Sequence, residues 1–421
     1  MLFLAGDIGG TKALLQLSYR QPEHTTDLSF STNRSHTDSI SCKPLQLFKQ
    51  SYLCAHFDSL ESIINLFLSQ ALSADNLSFF SGIDIEIDRV SIPSACFGLP
   101  GPVNGRIVQL TNLPWVVDAQ KIEEICSIQS VHFINDFYAA ARGVECLNED
   151  EVIALYRPPE QSDEIGNRLV IGAGTGLGVA PIFYDGEKYI PVSSEGGHFD
   201  FAPSSETQQL LLTWLWQRWQ HVSYERILSG PGLEALYHFF TVFDCPVSYA
   251  SKSHSQALKI KKKSLISTQN NSHISLITDT IESPYIDLVD KGISAAQISV
   301  AAEQGDPIAI KTLTEFVTIY GAFVGAVALI WHAPQGIYLA GGIAAKILPW
   351  MQKPCFKQAF LEKGRLSTVV ATMPVFLVID ESLGLKGAML QNQLWEAVLL
   401  SENKQSVHFC KKIKNQSKVK L

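Results

Sequence analysis

The apolar residues of this chain come in short runs broken by glycine, and the spacing within each run predicts an element. Residues 2–5 and 13–17 are apolar runs on either side of Gly6-Asp7-Ile8-Gly9-Gly10-Thr11-Lys12, the pattern of a β-hairpin with glycines at its tip. Residues 169–171 and 179–183 flank Gly172-Ala173-Gly174-Thr175-Gly176-Leu177-Gly178 in the same way. A dinucleotide-binding turn leads from a strand into a helix, whereas this one leads into a second strand. Two hairpins of one kind predict two backbone concavities for anions, with threonine hydroxyls beside them. For the first hairpin alone, glycines that merely make a turn fit equally well.

Other runs have a helical period. Leu60, Ile63, Ile64, Phe67, Leu68 and Leu72 recur at three- and four-residue steps and predict an amphipathic helix over 57–72. Residues 118–125 read as a helix with Asp118 as its N-cap, and 207–221 as one that buries Leu210, Leu211, Trp214, Leu215 and Trp219. Residues 316–331 carry no charge and place Gly321 and Gly325 four apart. That spacing also occurs in membrane helices, but the run is short and includes Thr318 and Tyr320, so a tightly packed core helix is predicted. Strands are predicted at 90–98, 131–134, 336–340 and 374–379, a final helix at 387–399, and a largely irregular stretch with one strand at 21–51.

Composition narrows the class. A chain of 421 residues is too long for one ordinary core, so two domains are expected. Hydrophobic residues make up 46% and charged residues 18%, which fits a globular protein. The eight cysteines form no CxxC pair, so neither a disulfide framework nor a zinc ribbon is expected, and a reducing cytoplasm is the simplest setting. Asp7 interrupts the first apolar run, so no signal peptide is read. Net charge is −8, yet 249–275 and 402–421 contribute +5 each, leaving −18 on the remainder. An acidic body argues against nucleic-acid binding, and the two polar, basic stretches read as solvated surface chain, flexible in the first case and disordered in the second.

Candidate chemistry then concentrates at turns. Asp136 follows the strand at 131–134 and precedes a helix, a position that α/β folds use for chemistry; taken alone it reads more readily as a helix cap, and only the other motifs along the chain overturn that. Glu195 and His198 lie in the turn Ser194-Glu195-Gly196-Gly197-His198, and Glu225 at a loop-to-helix passage. Gly341-Gly342 closes another strand and lets a ligand approach backbone.

Together the motifs GDIGGTK (6–12), PGPVNGRIVQLTNLPW (100–115), INDF (134–137), GAGTGLG (172–178), EGGHFDFAP (195–203), ERILSGPG (225–232) and AGGI (340–343) resemble the bacterial glucokinase family. The resemblance implies an α/β protein of the actin-like ATPase superfold, with two ribonuclease H-like domains around a central cleft. Residues 1–146 with 380–401 would form the smaller domain and 147–379 the larger. It implies ATP-dependent phosphorylation of D-glucose to glucose 6-phosphate, the first step of glycolysis. Asp136 matches the base at the sugar 6-hydroxyl, and Asn135, Glu195, His198 and Glu225 match groups that bind other hydroxyls. Asp7 matches the acid that faces Mg²⁺ through water. Gly6, Gly9, Gly10, Thr11 and Lys12 match the first phosphate loop, Gly172, Gly174, Thr175 and Gly176 the second, and Gly341 and Gly342 the adenosine loop. ATP and Mg²⁺ are the implied cofactors and D-glucose the partner molecule, with neither nucleic acid nor membrane; a homodimer is left open. Position 12 is Lys where close glucokinases show Asn, and position 194 is Ser where Gly is expected.

Three rivals remain. A kinase for another hexose or an N-acetylated amino sugar shares these motifs. A sugar-responsive regulator would need a helix-turn-helix ahead of Gly6 and a cysteine-rich zinc site after His198, where the next cysteine is Cys245. A glycoside hydrolase using Glu195 and Asp136 would leave both Gly/Thr hairpins without a purpose.

Overall fold

The computed structural model describes residues 1–20, 44–73, 92–110, 112–160, 165–243 and 292–397. The basic stretches at 249–275 and 402–421, and residues 21–43, lie outside these.

Two sheets repeat one topology. The first combines β1 (Leu2–Ile8), β2 (Lys12–Tyr19), β3 (Leu45–Leu53), β4 (Ile92–Leu99) and β7 (Ile128–Asn135) in the order β3-β2-β1-β4-β7. A small ribbon, β5 (Ile107–Gln109) with β6 (Val116–Asp118), stands apart. The second sheet combines β8 (Val152–Tyr156), β9 (Arg168–Ala173), β10 (Leu177–Tyr184), β11 (Tyr189–Pro191), β12 (Ile337–Ala340) and β13 (Val375–Val378) in the order β11-β10-β9-β12-β13-β8. In each, the central strand pairs antiparallel with its hairpin partner and parallel with the next strand over. This is the ribonuclease H-like arrangement, present twice, and β8 adds an antiparallel edge to the second copy. Strand β1 is buried along nearly its whole length, which is why its sequence is a continuous apolar run rather than an alternating one.

The helices follow from capping and periodicity. Helix α1 (Leu60–Ala71) starts at Ser59, whose side chain accepts from the Ser62 amide, and buries Leu60, Ile63, Ile64, Phe67 and Leu68. Helix α2 (Ala119–Cys126) starts at Asp118, which caps it as the sequence predicts. Helix α3 (Asp136–Gly143) follows β7. Helices α4 (Glu206–Leu215), α5 (Gly230–Phe243), α6 (Ala295–Glu303) and α7 (Pro307–Ile330) pack on the second sheet. They are joined there by α8 (Gly342–Lys346) and α9 (Pro354–Leu361), and α10 spans 383–397.

Helices α3 and α10 lie between the two sheets. Ala139, Leu385, Ala388 and Met389 pack against Phe3, Ala5, Cys96 and Ile134 of the first sheet. Ala141, Val144 and Leu383 pack against Val170, Ala180, Ile182, Ala340 and Val378 of the second. Their crossing depends on glycine: a methyl at Gly143 would overlap the Leu383 carbonyl, and one at Gly387 the Ala139 carbonyl.

Three sequence expectations change. The helix expected at 207–221 stops at Leu215, because the chain must turn back for the Phe201 amide to reach the Val222 carbonyl and for Asp200 to bridge Ser223. Leu210 faces solvent, and Trp219 sits in the turn beneath the guanidinium groups of Arg218 and Arg226. The last helix begins at 383 rather than at Gly387, since its glycines serve close approach inside the helix rather than marking an end. The apolar run at 316–331 is part of α7, which begins at Pro307 behind the Asp306 cap. Helix α7 is long and apolar enough to cross a membrane, yet it forms the centre of the larger core. A methyl at Gly321 or Gly325 would strike the carbonyls of Phe356 or Phe360 in α9, so these glycines do let two helices pack closely.

Candidate active site

The site is built where β7 hands over to α3. Asn135 ends the strand and caps the helix: its Oδ1 accepts the Tyr138 amide at 3.0 Å. Its Nδ2 donates to the Gly101 carbonyl and to Asp136 Oδ1, both at 3.0 Å. The cap is therefore Asn135, and Asp136 is the first helical residue, with the Phe137 amide on its Oδ1 at 2.8 Å. Asn135 was expected to bind a sugar hydroxyl; in this conformation both ends of its amide are already engaged within the protein.

Phe137, the residue after Asp136, is seated against the other sheet. Its ring lies on Gly172 and Gly178, which face each other across β9 and β10. A side chain at Gly178 would displace the ring. This contact ties the Asp136 turn to the hairpin of the other sheet. It also explains Gly172, which was expected at the nucleotide: it lies inside β9, with Phe137 and the Ala340 carbonyl filling its space. Gly6 is likewise inside β1, against Leu15 and Phe97.

Asp7 also lies in β1, opposite Gly98 of β4 rather than at the hairpin tip. Its carboxylate faces Gly384 at the start of α10; a Cβ there would come 2.6 Å from Oδ2. Burial pushes the Asp7 carboxyl up to about 6. Asp136 is pushed up to about 7, first by burial, then by the charge of Asp7, with a smaller push from Glu195; the Phe137 amide opposes these. Asp7 and Asp136, both carried by the first sheet, are thus close enough to sense one another, and Glu195 from the second sheet adds to the effect.

The first turn, Gly9-Gly10-Thr11, is held by a bond from the Gly9 amide to the Lys12 carbonyl at 2.8 Å. The Cys54 amide holds the Thr11 carbonyl at 2.9 Å, and Thr11 and Lys12 are exposed. The second turn closes through Gly174 N to the Gly176 carbonyl at 2.8 Å, with Thr175 exposed and open space beside Gly174. Gly341 has φ +88, a backbone that favours glycine, and a Cβ there would come 2.5 Å from the Ala173 carbonyl, so the expected adenosine loop lies beside the second turn. Gly342 opens α8 and is exposed.

Glu195, His198 and Glu225 come together. His198 Nδ1 is 3.9 Å from Glu195 Oε2, and its Nε2 is 3.6 Å from Glu225 Oε1. Both exceed a good hydrogen bond, so the polar atoms face one another across a gap. Beside Asn135 and Glu195 opens a cavity of 470 Å³, lined also by Asn104, Tyr138, Ser193 and Ser194. Asn104 is not among the candidate residues named from the motifs, although it lies within the 100–115 motif between two glycines of positive φ, Gly101 and Gly105.

The second phosphate turn does not stand apart from the sugar-facing acids. Glu225 Oε2 accepts the Leu177 amide at 2.9 Å, directly behind the second turn. Gly197 presses on the Leu177 carbonyl so closely that a Cβ there would overlap it.

Comparison with known proteins identifies the family. A family model described as Glucokinase matches residues 4–394. The chain is 33% identical to the glucokinase of Nostoc punctiforme over 393 residues, 92% of this chain and 98% of that one. Among solved structures, a glucokinase from an Antarctic psychrotroph shares the fold with a TM-score of 0.64 at 24% identity, covering 93% of this chain and 98% of that chain. A ROK family glucokinase from Streptomyces griseus, solved in complex with glucose and AMPPNP, gives 0.51 at 20%, covering 94% of this chain and 100% of that chain. A family match of this length, joined to a relative at this identity over nearly its whole chain, places the protein in the glucokinase family.

Proposed function

We propose that this protein transfers the γ-phosphoryl group of ATP to the 6-hydroxyl of D-glucose. The observation that carries the reading is the convergence of Asp136, raised to about 7, with the second Gly/Thr turn through Phe137. Phosphoryl transfer asks for positioning and charge stabilisation more than for covalent help. In this reading the turns at 9–11 and 174–176 hold the phosphates, and Gly341 and Gly342 approach the adenosine. Glu195, His198 and Glu225 bind the ring hydroxyls, and Asn135 orients the Asp136 carboxylate through its Nδ2. Asp136 accepts the proton of the 6-hydroxyl as that oxygen attacks.

Asp7 is the residue that would face Mg²⁺. The fit is chemical: a hard carboxylate, buried and pushed upward, with no cation paired to it among the described residues, gains from a divalent ion nearby. Bound Mg²⁺ would neutralise charge on the phosphate oxygens. Asp7 itself supplies the negative charge that orients such an ion and, until one binds, favours protonated Asp136.

Residues 1–146 with 380–401 and residues 147–379 then act as the two bodies that close on the sugar, so that water cannot replace it as acceptor. A coupled assay with Mg-ATP and a panel of hexoses tests the substrate. D-Glucose should lead in kcat/KM; faster turnover of mannose or an N-acetylhexosamine would move the assignment to that sugar.

A further inference from the structure

We propose that Glu225 is a positioning residue for the nucleotide phosphates as well as a sugar ligand. One carboxylate oxygen holds the second phosphate turn in shape while the other faces the sugar. Glu225 Oε2 accepts the Leu177 amide at 2.9 Å, where the turn re-enters β10. Gly176, the last residue of the turn, approaches the same oxygen so closely that a Cβ would sit 2.6 Å from it. The Glu225 segment grips the turn a second time, through Gly230 N to the Gly174 carbonyl at 2.9 Å. The opposite oxygen, Oε1, is 3.6 Å from His198 Nε2 and free to meet a hydroxyl.

The charge is the informative part. A full negative charge behind an anion-binding turn opposes phosphate binding, and a neutral acceptor would hold the Leu177 amide without that cost. A carboxylate makes sense there only if its second oxygen serves a ligand that rewards charge, as a sugar hydroxyl does. This rests on the proposed sugar-kinase reading for the role of Oε1, but not for the role of Oε2.

Calorimetric titration of the full chain tests the two roles separately, with AMPPNP and Mg²⁺ in the absence of sugar, and with glucose in the absence of nucleotide. Glu225→Gln keeps an acceptor for the Leu177 amide, so AMPPNP affinity should stay within about threefold of wild type, while glucose affinity falls about tenfold or more. Glu225→Ala removes the acceptor and should weaken both ligands, AMPPNP by about tenfold. Glu195→Gln should weaken glucose alone. Gly176→Ala strikes the same contact from the other side, so its effect on AMPPNP should be smaller in the Glu225→Ala background than in wild type. Wild-type AMPPNP affinity in Glu225→Ala, or strict additivity of the two changes, would overturn the proposal. Loss of AMPPNP affinity in Glu225→Ala without glucose binding by the wild type would uphold the positioning role of Oε2 and overturn the sugar-facing role of Oε1 together with the sugar assignment.

Discussion

Asp136 has a raised proton affinity, and that sets both when it can act and what it costs the fold. A base must be ionised, so kcat/KM for glucose, measured with nucleotide well below saturation, should rise through an acid limb near pH 7. Removing the charge of Asp7 by Asp7→Asn should move that limb to lower pH, because Asp7 is one cause of the shift. A limb near 4 in the wild type would contradict the assignment. Stability runs the other way. The unfolded carboxyl titrates near 3.9, roughly its ordinary value, and the folded one about 7. The folded form therefore binds the extra proton, and stability is fullest below about pH 4 and declines as pH rises through 7. Asp136→Asn should melt higher than wild type at pH 8 and close to it at pH 4. At this scale the sequence was informative about Asp136 only through the company it keeps. It could not show that Asn135 takes the cap, because either side chain suits that position and only the backbone register decides. Nor could it show Glu225 behind Leu177, a contact across 48 positions of chain.

At the scale of elements, the site depends on glycines that make room for other elements. Phe137 on the Gly172–Gly178 pair is the clearest case. Gly178→Val should displace the ring, with a destabilisation of about 1–3 kcal/mol for overpacking. Because Asp136 is the adjacent residue, kcat should fall by more than the small loss of folded protein explains. Unchanged kcat at normal stability would show that Phe137 does not set the position of Asp136. Hydrophobic spacing revealed both Gly/Thr hairpins, α1 and the core portion of α7. It misplaced the ends of α4 and α10. Glycine reads as a stop, yet Gly384 and Gly387 lie within α10, where Asp7 and Ala139 press on the helix. Tertiary contact overrode local preference at each of these ends.

Over the whole molecule, one sheet topology is used twice, and the first hairpin of each copy supplies a Gly/Thr turn. That repetition was legible as two similar motifs because strand-turn-strand is local in sequence. The crossing of α3 and α10 was not, since it joins residues more than 200 positions apart. The basic stretch at 402–421 lies beyond the region matched by the family model, which ends at 394. Its deletion should leave kcat and KM unchanged, and a marked change in either would show that it contributes to the site. The central chemical step is the proton passing from bound glucose to Asp136. The most direct measurement is kcat of Asp136→Asn beside its glucose Kd. The expected result is a loss of roughly 10²–10⁴-fold in kcat, the range for a positioned acid–base group, with glucose Kd within a few-fold of wild type. Near-normal kcat in this variant would contradict it.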